Sequence, residues 1–86
     1  MGTEMTPELF ERLRDEPDRD ADLIVTVNGD PNHYVPQVRA LGLEVKRVFS
    51  LTQKLALAGP SRSFVALSQE DWVIKLEDDK PIRAIS

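Results

Sequence analysis

The residues that could do chemistry here are carboxylates and one histidine. Glu77, Asp78 and Asp79 stand side by side late in the chain, Asp18, Asp20 and Asp22 alternate early in it, and His33 is the single histidine. Adjacent carboxylates divide acid and base work only where burial drives their pKa values apart. Nothing apolar surrounds Glu77–Asp79 to do so. Asp18, Asp20 and Asp22 imitate the first three ligands of a calcium loop, but the sixth position is Leu23 rather than Gly and the twelfth is Gly29 rather than Glu. They read as a solvated acidic linker. With no cysteine there is no thiol nucleophile, thiolate metal site or disulfide, and no Ser-His-Asp order brings a triad together. The expectation is no catalytic residue, no metal and no cofactor, with His33 a surface residue near a helix start.

The elements that position these groups can be taken in chain order. Thr6-Pro7-Glu8 is a helix start, with Thr as cap, Pro at the first position and an acid in the first turn. Leu9, Phe10 and Leu13 give that helix an apolar stripe, and it should end before Pro17. Leu23-Ile24-Val25-Thr26-Val27, closed by Asn28-Gly29-Asp30-Pro31, reads as a central strand over 22–28. Val35, Val38 and Leu41 recur at helical spacing with Gly42 as the stop, predicting a helix near 33–41 that begins as late as Tyr34 or Val35 because of Pro36. Alternation over 43–51 and 54–59 predicts a hairpin turning at Thr52-Gln53. Gly59-Pro60-Ser61 opens a second helix near 61–69 carrying Phe64, Val65 and Leu67, and Trp72–Leu76 begins a last strand over 72–77. Trp72 is expected in the core or at its rim.

The 86 residues suit one domain, divided as an N-terminal helix and acidic linker over 1–21 and a main unit over 22–86. The net charge of −4 argues against phosphate-backbone binding, and the sheet lacks the stacked aromatics of an RNA-binding sheet, so no nucleic-acid partner is expected. No run approaches the roughly 20 apolar residues that span a bilayer, and the start lacks the order of a signal peptide. The chain is thus expected away from membranes and in the cytoplasm as written, or secreted if excised from a longer precursor.

The order strand, helix, strand, strand, helix, strand is that of an α+β, ferredoxin-like βαββαβ domain. It has a four-stranded antiparallel sheet with two helices on one face, here with a short N-terminal helix added. Period-two alternation assigns Leu23, Val25, Val27, Val45, Phe49, Leu51, Leu55, Leu57, Ile74 and Leu76 to the helix side. The other face would carry Ile24, Thr26, Val48, Ser50, Ala56, Ala58, Val73 and Lys75, a small and apolar surface of the kind that meets a partner.

Val45-Lys46-Arg47-Val48-Phe49-Ser50-Leu51 leading into Leu55-Ala56-Leu57, then a helix, then Trp72 through Asp79, resembles the subtilisin propeptide-like inhibitor family over residues 22–86. Phe49-Ser50-Leu51 matches its aromatic-Ser-Leu step and Glu77-Asp78-Asp79 its acidic triplet, while the turn Thr52-Gln53-Lys54 stands where that family usually has a glycine. The resemblance implies a module that binds a subtilisin-like serine protease through the open sheet face (Ile24, Thr26, Val48, Ser50, Ala56, Ala58 and Val73). Glu77, Asp78 and Asp79 would cap two helices of the enzyme. The tail Ile82, Arg83, Ala84, Ile85 and Ser86 would lie in the substrate cleft as an added strand, with Ile85 at the primary specificity pocket and Ile82 three residues earlier. A free-standing copy, expected to be a monomer, would act in trans as inhibitor, folding helper or both. The alternative from the residues alone is a small regulatory ferredoxin-like module that self-associates through the same face.

Overall fold

Each helix begins where a side chain or a neighbouring carbonyl satisfies its free N–H groups. In the computed structural model, which describes residues 3–79, α1 (Pro7–Asp15) starts with the Thr6 hydroxyl accepting from the Leu9 N–H. α2 (Pro31–Ala40) starts with the Asp30 carboxylate accepting from the Asn32 N–H at 3.0 Å. That cap, with Pro31 at the first helical position, places the start two residues earlier than 33 and leaves Pro36 inside the helix. Pro36 is exposed, so the one backbone bond it removes is lost on the solvent side. α2 stops at Gly42, whose φ of +91° is open to glycine at little cost. Gly42 N–H donates to the Arg39 carbonyl and Leu43 N–H to the Val38 carbonyl, the paired bonds of a Schellman ending.

The strands are β1 (Asp20–Val27), β2 (Glu44–Phe49), β3 (Lys54–Pro60) and β4 (Val73–Asp78), with α3 (Ser61–Leu67) between the last two. They form one antiparallel sheet in the order β2-β3-β1-β4, the ferredoxin-like arrangement. α3 has no side-chain cap of its own. The Ser61 N–H and hydroxyl both donate to the Arg19 carbonyl and the Arg62 N–H to the Pro17 carbonyl, so the acidic linker serves as the cap.

Leu23, Val25 and Val27 from β1, Leu55 and Leu57 from β3, Leu76 from β4, Phe64 and Leu67 from α3 and Val38 from α2 are fully buried in one cluster. At roughly 1.5–3 kcal/mol for each large side chain removed from water, this cluster is the main source of stability. Leu9 and Leu13 of α1 join it, and α1 packs beside α3. The N-terminal helix is therefore a third member of the helix layer and shares the core of the main unit. Phe10, expected in the same apolar stripe, lies outside with the Arg14 guanidinium 5.6 Å from its ring.

Both outer strands carry a register shift, and each changes which residues face the core. In β2, Val45 pairs with Leu57 but Arg47 with Ala56, so Lys46 is an extra residue. In β4, Lys75 pairs with Thr26 but Val73 with Val27, so Ile74 is extra. Such bulges are common at sheet edges, where one side of the strand is free to bend.

Candidate protein-binding face

The sheet face turned away from the helices is built from alternate residues of four strands. Cross-strand pairing sets Ala58 beside Asp22, Ala56 beside Ile24 and Lys54 beside Thr26. Beyond β1, Glu77 adjoins Ile24 and Lys75 adjoins Thr26. On the β2 side, Arg47 adjoins Ala56 and Phe49 adjoins Lys54. Among the described residues no helix covers this face.

Ile24, Thr26, Ala56, Ala58 and Lys75 are thus where alternation places them, and three of the expected face residues are not. Val48 pairs with Leu55 and packs on the core, because the bulge at Lys46 turns it inward. Val73 pairs with Val27 and is 4% exposed in the same core, because of the bulge at Ile74. Ser50 lies past the end of β2, in the turn, where its hydroxyl accepts from the Asn32 side-chain amide at 3.4 Å. The two shifts and the early end of β2 also remove three residues from the expected helix side. Phe49 lies on the open face and Ile74 is exposed at the bulge, while Leu51 stands at the turn, 99% exposed. Gln53 takes a φ of +59° in that turn, the conformation for which glycine is the usual residue.

The face is not bare apolar surface. Lys46 reaches from β2 to two carboxylates, Asp22 at 3.3 Å and Asp79 at 3.1 Å, and Lys54 of β3 reaches Glu77 of β4 at 3.4 Å. Lys75 stands 3.9 Å from Glu77 on the same strand. Ala56 is only 4% exposed, with Arg47 and Ile24 as its ladder neighbours. The arrangement is a floor of small residues crossed by ion-paired long ones, whose alkyl stems shield the floor. The hydrogen bond to Asp79, with the bond to Asp22 and both charges behind it, raises the Lys46 pKa above its ordinary value against some loss of hydration. The ammonium stays charged throughout the neutral range.

The acidic triplet divides among three directions. Glu77 turns to Lys54 on the open face, Asp79 turns to Lys46, and Asp78 pairs with Arg12 of α1 on the helix side. Asp79 N–H also donates to the Asp22 carbonyl at 3.1 Å, extending the β1–β4 ladder by one residue. The tail residues Ile82, Arg83, Ala84, Ile85 and Ser86 lie outside the described residues.

Several other groups named from the sequence are placed in ordinary surroundings. His33 is exposed and meets Tyr34 edge-on, with ring centroids 5.0 Å apart. Asp18 pairs with Arg62, and Asp20 lies in β1 with an exposed side chain. Among the described residues no group of three or more His, Cys, Asp or Glu could hold a metal ion. No helix there is long and apolar enough to cross a membrane.

Two features had no clear forerunner in the sequence reading. Tyr34 of α2 stacks flat on Trp72, with centroids 4.2 Å apart and planes 6° from parallel, and its hydroxyl donates to the Asn28 carbonyl. This joins the end of β1 to the start of β4 at the rim of the core. The lysine bridges were the other. Their signal was the pair Lys46-Arg47 between two valines, which breaks a strict alternation. Comparison with protein-family models, with curated proteins and with solved structures finds no match.

Proposed function

We propose that this chain docks by its open sheet face on a subtilisin-like serine protease, places the residues after Asp79 in the substrate cleft, and acts in trans as an inhibitor or folding helper. The observation that carries the reading is the coincidence of two features. A floor of Ile24, Thr26, Ala56 and Ala58 lies free of helices among the described residues, and Asp79, still bonded to β1, stands at the edge of that floor. An extended segment leaving there can add to a cleft as a strand, with the sheet supplying the docking area. The resemblance of residues 22–86 to propeptide-like inhibitors supports the choice of enzyme class.

The ion pairs refine how such docking would work. Glu77 and Asp79 can cap helices of the enzyme only by leaving Lys54 and Lys46, an exchange between partly exposed pairs worth little on either side. Asp78 faces α1 and would stay with Arg12, so two of the three carboxylates serve as caps.

The test is titration calorimetry of the chain against an active-site-blocked subtilisin-like protease, whose sheet-binding surface remains free. The wild-type chain binds with one-to-one stoichiometry, and Ala56→Glu, which sets a charge on the floor, weakens binding by more than about tenfold while leaving the circular dichroism unchanged. Equal binding by a folded Ala56→Glu variant would move the interface elsewhere. A concentration-independent dimer without protease binding would favour self-association through the face.

A further inference from the structure

We infer that the N-terminal segment Thr3–Asp15 is a clamp on β4, holding the strand from which the inhibitory tail departs; the inference rests on the proposed inhibitory function. Among the described residues β4 is the last strand of the sheet, with β1 as its only strand neighbour. Its ladder to β1 is interrupted at the bulged Ile74. The Ile74 carbonyl accepts from the Glu4 N–H at 2.9 Å, and the Leu76 N–H donates to the Glu4 carbonyl at 2.9 Å. Glu4 thus makes a parallel bridge along the outer edge of β4. The Thr3 hydroxyl lies 2.8 Å from the Ser68 carbonyl and 3.1 Å from the Val73 carbonyl, at the entry to the strand. At its other end Arg12 holds Asp78.

These contacts grip β4 before, along and at the end of its length, and all come from one segment anchored by Leu9 and Leu13 in the core. An edge strand with an interrupted ladder is where a small sheet opens first. For a module that offers its own C-terminal residues to a protease, opening of β4 lets the tail move through the cleft as a substrate. Closing the outer edge of β4 raises the cost of that opening. The clamp leaves the open face free, since Arg12 and Asp78 lie on the helix side.

The test uses the full chain with two substitutions and two readouts. Glu4→Pro removes the N–H that bonds Ile74, and Arg12→Ala removes the grip on Asp78 without touching the backbone. Amide hydrogen exchange, measured without protease, should quicken by about tenfold at Leu76 and Asp79 in Glu4→Pro, and at Asp79 in Arg12→Ala, with β3 amides changed less than about threefold. Mixed with a subtilisin-like protease, both variants should inhibit initially as the wild type does and be digested about tenfold faster. Unchanged Asp79 exchange in both variants overturns the clamp, as does unchanged digestion where the wild type inhibits. If Glu4→Pro loosens β3 as well, Arg12→Ala decides. A wild-type chain that inhibits no subtilisin-like protease refutes the functional reading alone, because the exchange readout still tests the grip on β4.

Discussion

Lys46 Nζ lies 3.1 Å from Asp79 Oδ2, joining one outer strand of the sheet to the residue that follows the other. Between them run β3 and β1, and β3 puts Ala56 and Ala58 on that face, with Lys54 further along at its start. Only small side chains there let a lysine pass across. The residues that look from the sequence like an apolar docking surface are also the floor that permits this bridge.

Replacing Lys46 by Met should lower stability only slightly at pH 8, since Lys46 and Asp22 are exposed and Asp79 is half-buried. The sign with pH follows from the raised pKa. The contribution is full below the ordinary lysine value of 10.5 and is lost as pH rises through the higher folded value. Urea midpoints of the wild type and Lys46→Met should converge above that pH; a gap that persists or widens there would show that Lys46 stabilises by packing.

Both turns favour glycine, so removing one and adding one change stability in opposite directions. Gly42→Ala puts a side chain at φ +91° and should cost about 1 kcal/mol or more, whereas Gln53→Gly relieves a side chain at φ +59° and should gain up to about 1 kcal/mol. Both are read from denaturant midpoints. A stabilising Gly42→Ala or a clearly destabilising Gln53→Gly would contradict the backbone account.

Leu13→Ala should destabilise the whole domain by about 2–5 kcal/mol in a single transition, because Leu13 is fully buried in the shared core. If α1 were a separate appendage, Trp72 fluorescence would report an unchanged midpoint. A separate early transition for α1 would contradict the common core.

Much of the fold was legible in the chain. Thr6-Pro7 and the Val38–Gly42 stretch mark helix ends by local chemistry, and Leu23, Val25 and Val27 mark one face of a strand with an unbroken period of two. The outer strands were not, because their period breaks. Val45 and Val48 both face the core across Lys46-Arg47, and Val73 and Leu76 do so across Ile74-Lys75, a spacing of three that signals a bulge. Strict alternation through those bulges misplaced Val48 and Val73 on the open face. The start of α2 is set by the Asp30 cap and Pro31, two residues before the expected start at 33, and Pro36 is accommodated inside the helix. Pairing of Glu77, Asp78 and Asp79 with three different elements depends on contacts distant in the chain, which periodicity does not encode.

Shortening the chain by Pro81–Ser86 tests the functional reading at its core. The tail lies outside the described residues, and the resemblance assigns Ile82 and Ile85 to apolar pockets, each expected to contribute about 1–3 kcal/mol. The measurement is the rate of peptide hydrolysis by a subtilisin-like protease at rising concentrations of the intact chain, with mass spectrometry confirming that the chain stays uncut. The account predicts competitive inhibition by the full chain and none by a folded chain ending at Lys80. Full protease activity at saturating, undigested full-length chain, across several such proteases, would contradict it.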